Sequence, residues 1–299
     1  MPDATNHEYV DFEYLSSDGL TLRGKRYGSR DWHDRLPVIC LAGLTRNSED
    51  FHKLALSLSN HPKNPRQVLS LDYRGRGKSD YDKNWENYNP LVEASDTIAA
   101  IEAAGFEDVS IIGTSRGGLI AMILAAMRPG ILKQVILNDI GPEIDGVGWA
   151  RIKTSLQRMR EPNTWAEAIE MLHEGLGSQF TAFSEQDWDD HAKATFRDGN
   201  GKPVRNFDDG LLTSIKAQNL DQELPTFWPQ FDGLRNLALM VIRGGNSDLF
   251  SADTLDRMNE RHPDMQSITV EGQGHAPLLH SGKLPEQIYK FLETTALKH

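Results

Sequence analysis

Three side chains in this 299-residue sequence have the types and the order needed to attack a carbonyl carbon. Ser115 lies in a Gly-x-Ser-x-Gly segment at 113–117, His275 follows Gly274 near the end of the chain, and Asp248 follows a Gly-Gly pair at 244–245. A serine hydroxyl is protonated at neutral pH and needs a base, and that base needs a carboxylate to orient its ring. The sequence therefore predicts Ser115 as nucleophile, His275 as base and Asp248 as the preferred acid.

Asp139 is a second candidate for the acid. It follows the apolar run Val135 to Leu137, and from the end of that strand it could also reach the histidine. A residue at this place could equally cap or hinge an inserted segment. Asp248 is preferred because it lies in the loop after the next-to-last predicted strand, which gives the order Ser, Asp, His expected of this architecture, and the alternative stays open.

The negative charge that develops on the attacked carbonyl oxygen must be met by preset donors. The backbone N–H of Arg116, directly after the serine, is one candidate. The other is the backbone N–H of Leu44, in the loop after the apolar run Val38 to Leu41. The side chains of Arg116 and of nearby Arg46 could also favour a substrate carboxylate, or could form structural ion pairs.

The elements that must position these groups are short apolar runs separated by helical segments. Glu8 to Leu15 and Leu20 to Tyr27 alternate around Ser17-Asp18-Gly19 and predict an antiparallel hairpin. The later apolar runs predict strands covered on both faces: Val38 to Leu41, Val68 to Leu71, Val109 to Ile112, Val135 to Leu137 and Leu237 to Ile242. A further strand is predicted over Gln266 to Val270. Helical spacing between most of them predicts crossover helices, with a closing helix over Leu284 to Leu297. We expect an α/β fold with a mostly parallel central sheet of about eight strands.

The strand pattern is interrupted between residues 141 and 233. This stretch has helical spacing, no convincing strand, and a predicted turn at Gly199 to Pro203. We expect a core formed by residues 1–140 and 234–299 and a helical cap formed by 141–233, placed over the ligand site. Five aromatic residues of the cap could form an apolar wall, although each could equally serve packing: Trp149, Trp165, Phe180, Phe183 and Trp188.

Composition restricts the class of protein. The formal charge is −11 without a long basic run, which disfavours nucleic acid as a partner. The sequence has no apolar stretch long enough to span a bilayer and no signal-peptide pattern, so we expect a cytoplasmic protein. Cys40 stands alone in an apolar run, and the ten histidines have no metal-binding spacing, so no disulfide, metal or cofactor is expected.

The whole chain resembles the α/β-hydrolase fold superfamily. The resemblance depends on four motifs: Ala42-Gly43-Leu44, Asp72 to Ser79, Gly113 to Gly118, and Gly274-His275-Ala276-Pro277. It implies that Gly75 to Ser79, which ends like a phosphate-binding loop but has Asp72 where that motif needs glycine, is a structural loop. Two positions depart from the family pattern. Ala42 replaces a common histidine, and Ser247 lies near the usual place of the acid, with Asp248 one residue later.

These features predict a serine hydrolase that cleaves an ester-like bond of a small molecule through an acyl-enzyme, as a monomer or homodimer. A serine nucleophile argues against the epoxide hydrolases and haloalkane dehalogenases of the same fold, which use aspartate. One alternative is a carbon–carbon bond hydrolase acting on ring-cleavage products. An alternative of another class is a slow or non-catalytic small-molecule receptor.

Overall fold

The fold is seen in a computed structural model that describes residues 8–30, 32, 34–217 and 224–294. Its centre is an eight-stranded sheet whose strands, in chain order, are β1 (Val10–Leu15), β2 (Thr21–Tyr27), β3 (Val38–Leu41), β4 (Val68–Asp72), β5 (Val109–Thr114), β6 (Leu132–Asn138), β9 (Ala238–Gly244) and β10 (Gln266–Val270). Their spatial order is β1-β2-β4-β3-β5-β6-β9-β10. β2 is antiparallel to β1 and β4, and the other pairings are parallel. The predicted mostly parallel sheet and its eight strands are confirmed.

Helices cover both faces of this sheet because the inner strands are apolar on both sides. In β3, Ile39 and Leu41 join the core on one face, whereas Val38 and Cys40 join the core on the other, as the two-residue pleat requires. The first face is covered by α2 (Pro90–Ala104), α3 (Arg116–Met127) and α9 (Ala252–Arg261). The second is covered by α1 (His52–Ser59) and α10 (Leu284–Thr294). The last three residues of the predicted closing helix, 295–297, lie outside the described residues.

The segment between β6 and β9 contains the remaining helices and a small hairpin. Its elements are α4 (Gly146–Arg158), α5 (Trp165–Leu176), α6 (Glu185–Thr195), β7 (Phe196–Asp198), β8 (Pro203–Arg205), α7 (Asp209–Lys216) and α8 (Trp228–Asp232). The prediction of no strand here was wrong, since β7 and β8 pair antiparallel. The predicted turn joins them: Asn200 and Gly201 have φ of 60° and 87°, which suits a tight hairpin turn. Strands of three residues are too short to give a recognisable alternation.

No helix among the described residues is long and apolar enough to cross a membrane.

Cys40 is fully buried, and burial raises the pKa of its thiol.

Candidate active site

Ser115 lies at the turn between β5 and α3, in a conformation that L-residues rarely adopt, with φ 51° and ψ −113°. The glycines around it make this turn possible. A Cβ on Gly113 would lie 2.5 Å from the backbone of Gly117, and a Cβ on Gly117 would lie 2.1 Å from the carbonyl oxygen of Leu41. Glycine is therefore required by the close approach of β5, α3 and β3, and the turn holds the serine above the sheet.

His275 lies in the loop between β10 and α10 and reaches the serine across the carboxyl end of the sheet. Its Nε2 is 2.8 Å from the Ser115 hydroxyl oxygen, although 160 positions separate the two residues. Its Nδ1 is 2.7 Å from Oδ2 of Asp139. A base within hydrogen-bonding reach of the nucleophile, itself oriented by a carboxylate, is the arrangement that activates a serine.

Asp139 is held in place by an unusually complete set of donors. The residue is 0% exposed and directly follows β6, with φ 53°. Its Oδ1 accepts a hydrogen bond from the Gly244 backbone N–H at 2.6 Å, and its Oδ2 accepts one from the Ser247 hydroxyl at 2.6 Å. Hydrogen bonds of this kind offset the cost of burying a carboxylate. They leave Oδ2 directed at the histidine as well.

Asp248, the preferred acid of the sequence analysis, does not contact His275 in the structure. Its carboxylate forms a bidentate ion pair with Arg151 of α4, with Nε–Oδ2 and Nη2–Oδ1 distances of 2.5 and 2.9 Å. Burial would raise the pKa of Asp248, but the bonds from Arg151 lower it below its usual value. That preference was wrong in geometric terms. In the loop after β9, the Ser247 side chain, rather than that of Asp248, contacts Asp139.

Ser247 holds the Asp139 carboxylate in position through a hydrogen bond. This residue was named in the sequence analysis but was assigned no role. Its hydroxyl donates to Asp139 and accepts from the backbone N–H groups of Leu249 and Phe250, at 3.3 and 3.2 Å. One sequence signal pointed to Ser247, since it lies near the position where related proteins have the acid. Here the loop after β9 supplies a donor, and the carboxylate comes from the end of β6.

The two predicted oxyanion donors flank the serine. Arg116 is the first residue of α3, so its N–H is one of the unpaired donors of a helix start. The loop that contains Leu44 approaches the nucleophile closely: a Cβ placed on Gly43 would be 3.9 Å from the Cβ of Ser115. Both residues line the same cavity as the serine and the histidine.

The side chains of the two arginines near this site are engaged in ion pairs. Arg116 contacts Glu93 at 2.7 Å, and Arg46 contacts Asp50 at 2.5 Å. Glu93 is fully buried and also lies 2.8 Å from Arg76. Burial would raise the pKa of Glu93, but Arg116 and Arg76 together hold it below its usual value. Of the two roles considered for the Arg46 and Arg116 side chains, the structure therefore shows ion pairs within the protein.

The Gly77-Lys78-Ser79 segment is hydrogen-bonded to Asp72, the last residue of β4. The Asp72 carboxylate accepts from the backbone N–H groups of Ser48 and Lys78, at 2.7 and 3.0 Å. Burial raises the pKa of Asp72, and these two bonds oppose the rise. A Cβ on Gly77 would lie 2.3 Å from the Asp72 carboxylate. Because Gly77 has no Cβ, the turn can pack closely against the Asp72 carboxylate.

A cavity of about 1450 Å³ contains the serine and the histidine in its wall. It lies between the carboxyl end of the sheet and helices α4, α5 and α6. Of the five aromatic residues proposed as its wall, Trp149 lines it. Phe180, Phe183 and Trp188 instead pack on one another, with ring centroids 4.5 to 6.4 Å apart, and Trp165 packs beside Phe196.

One group of side chains in the described part of the chain has the spacing of a metal site. Ligand atoms of Asp187, Asp190 and His280 lie within 4.8 Å of one another. Both carboxylates already have protein partners: Asp190 pairs with Lys53, and Asp187 closes a capping box at the start of α6.

The fold and this site define a serine hydrolase of the α/β class. The chain matches the alpha/beta hydrolase family over residues 38–284 and belongs to that family. Among curated proteins it is 27% identical over 252 residues to the 3-hydroxybutyrate-oligomer hydrolase of Cupriavidus necator, covering 80% of this chain and 82% of that protein. It is 23% identical to esterase YbfF of Escherichia coli over 267 residues, 86% of this chain and 92% of that one. Among solved structures, an alpha/beta hydrolase from Novosphingobium aromaticivorans has a TM-score of 0.85 and 34% identity, covering 96% and 98% of the two chains.

Proposed function

We propose that this enzyme is a carboxylic ester hydrolase that works through an acyl-enzyme on Ser115, with His275 as base and Asp139 as the acid. The observation that carries the proposal is the chain of two short hydrogen bonds, Ser115 Oγ to His275 Nε2 at 2.8 Å and His275 Nδ1 to Asp139 Oδ2 at 2.7 Å. Ser115 and His275 line a cavity that can hold a small organic substrate, and Asp139 is buried behind the histidine. The names of the esterase and hydrolase relatives agree with this reaction class.

In the first half-reaction, Ser115 Oγ bonds to the ester carbonyl carbon while its proton passes to His275 Nε2. The carbonyl oxygen becomes an oxyanion that accepts hydrogen bonds from the N–H groups of Leu44 and Arg116. His275 then gives its proton to the leaving alcohol as the carbon–oxygen bond breaks. In the second half, water attacks the acyl carbon and gives its proton to His275, which returns that proton to Ser115 Oγ as the acyl carbon–Oγ bond breaks and the carboxylic acid leaves. Asp139 orients the imidazole and stabilises the imidazolium that forms.

We also propose that residues 141–233 act as a cap over this chemistry. Helices α4, α5 and α6 supply much of the cavity wall opposite the sheet. The segment is fastened to the core by ion pairs such as Arg151–Asp248 and Lys53–Asp190. Excluding water from the cavity strengthens the electrostatic interactions that stabilise the oxyanion.

Labelling with a fluorophosphonate followed by peptide mapping tests the nucleophile, and turnover of 4-nitrophenyl esters tests the reaction. We expect the label on Ser115, with both label and turnover lost in Ser115→Ala. The matched control is Ser95→Ala, which should keep both. Ser95 is a partly exposed residue of α2 whose hydroxyl donates to the Leu91 carbonyl oxygen at 3.3 Å. Label without turnover would favour the receptor alternative. Turnover confined to ring-cleavage diketones would favour the carbon–carbon hydrolase.

A further inference from the structure

The cavity has two chemically different ends. On one side, Ile152 and Leu156 of α4, with Met159 directly after that helix, pack in the same cluster as Leu44 and form an apolar surface. Another part of the wall, formed by α6, the segment 46–53 and the loop after His275, contains a group of polar side chains beside a few apolar ones. The polar side chains are those of Arg46, Asp50, Lys53, Asp190, His191, Thr195 and His280. A substrate that fills this space must therefore present an apolar part to one end and a polar part to the other.

Two histidines at the polar end have hydrogen-bonding capacity that the protein does not use. Nδ1 of His191 and Nε2 of His280 are buried and have no hydrogen-bond partner among the described residues. Each ring nevertheless contributes to the wall of the cavity. A buried polar atom without a partner is uncommon in native proteins and costs free energy. If the rings rearranged to hydrogen-bond a polar group of a ligand, these two nitrogens would gain partners and the free-energy cost would be removed.

The charges around the two rings are largely balanced. Arg46 is paired with Asp50, and Lys53 is paired with Asp190. Burial lowers the pKa of His191 well below its usual value, helped by Arg46 and His280, and burial also lowers the pKa of His280, helped by Lys53 and opposed by Asp190 and Asp187. Both rings are thus neutral at pH 7. A neutral imidazole has one donor and one acceptor nitrogen, which matches a hydroxyl group.

The position of His280 indicates which part of the substrate it meets. It lies five residues after His275 in the loop between β10 and α10. His275 must pass its proton to the leaving oxygen, so the alcohol half of an ester lies on the side of this loop. Apolar residues of α4 beside Leu44 then face the acyl half.

We propose that His191 and His280 form a subsite for a hydroxyl group on the leaving alcohol, so that the preferred substrates are monoesters of diols or of glycerol with an apolar acyl chain. This inference rests on the proposed esterase function.

The test compares ester pairs that differ by one hydroxyl in place of one methyl: 2-hydroxyethyl against propyl butyrate, 3-hydroxypropyl against butyl butyrate, and 4-hydroxybutyl against pentyl butyrate. For each pair the ratio of kcat/KM, hydroxyl ester over alkyl ester, is measured in the wild type and in His191→Leu, His280→Leu and the double variant. We expect the ratio to fall by about fivefold or more in the double variant for at least one pair. A ratio that stays at the wild-type value in all three variants would overturn the subsite.

Two controls make the result specific. His173→Leu is the matched substitution on α5 and should keep the wild-type ratio. His173 is exposed, does not line the cavity, and packs at a tilt against Trp188 with ring centroids 5.1 Å apart. His191→Gln and His280→Gln retain a donor and an acceptor, and should keep more of the preference than the leucine variants do. Loss of the preference on adding EDTA would assign it to a cation held by Asp187, Asp190 and His280 and would overturn direct recognition.

The outcome also separates this inference from the proposed function. If wild-type protein does not hydrolyse 4-nitrophenyl butyrate, the esterase proposal itself fails. If it hydrolyses that ester but shows equal ratios in the wild type and the variants, the subsite alone is refuted.

Discussion

Replacing Asp139 by asparagine should abolish most of the activity while leaving the fold in place. The carboxylate accepts from the Gly244 N–H, the Ser247 hydroxyl and His275 Nδ1. If the asparagine oxygen keeps the Gly244 bond, its NH₂ group faces His275 Nδ1 and favours the tautomer with the proton on Nε2. That proton then points at the Ser115 hydroxyl, and the ring can no longer accept the serine proton. We expect kcat to fall by about 10⁴, which corresponds to about 5.5 kcal/mol in the activation free energy.

The assay is hydrolysis of 4-nitrophenyl butyrate under saturating conditions, with circular dichroism and thermal unfolding to verify the fold. Asp248→Asn is the matched control. It removes the same charge from an aspartate whose ion pair with Arg151 is partly exposed, at 28% and 26% for the two side chains. Such a pair contributes about 0–1 kcal/mol to stability, and kcat should change by less than about threefold. A collapse of the rate in Asp248→Asn, with Asp139→Asn nearly unaffected, would refute the assignment of the acid.

Three further substitutions test the framework around the site. Glu93→Gln leaves two buried arginines without their shared counter-charge and should lower the free energy of unfolding by about 3 kcal/mol, measured by urea titration. Gly117→Ala places a Cβ 2.1 Å from the Leu41 carbonyl oxygen and should abolish both turnover and fluorophosphonate labelling; full activity would contradict the turn argument. The bond from Arg74 lowers the pKa of Asp18 to about 2, so its contribution is present above about pH 4 and is lost as the pH falls toward 2. Asp18→Asn should therefore lower Tm at pH 7 more than at pH 2.5, and an equal loss at both values would contradict this.

Much of the central sheet could be predicted because its strands have simple sequence signals. Apolar runs such as Val109 to Ile112 are covered on both faces, and Gly113 and Gly117 mark the turn between β5 and α3. The contact between Ser115 and His275 was also predictable, since both residues end or follow elements whose carboxyl ends meet at one edge of the sheet.

The choice of the acid could not be made from the sequence. Asp139 and Asp248 both follow strands that neighbour each other in the sheet, so spacing permits either to reach the histidine. The decision depends on two local facts that spacing does not contain: φ of 53° at Asp139, and an ion pair from Arg151 that holds Asp248 against α4. The prediction of an aromatic cavity wall was wrong for most of its residues for a similar reason. Helical spacing does not determine whether a side chain such as Trp188 faces the cavity or packs on other rings.

Asp139, the proposed acid, lies two residues before Gly141, where the proposed cap begins, and this limits how the scaffold can be engineered. Gly141 has no room for a side chain, because a Cβ there would lie 2.6 Å from the ring of Phe250. Chimeras that graft a foreign insert onto this scaffold must therefore be joined downstream of Gly141 and must retain Phe250. A splice made before Asp139 would exchange this carboxylate together with the graft, and we expect it to produce an inactive hybrid even if both parental pieces fold well.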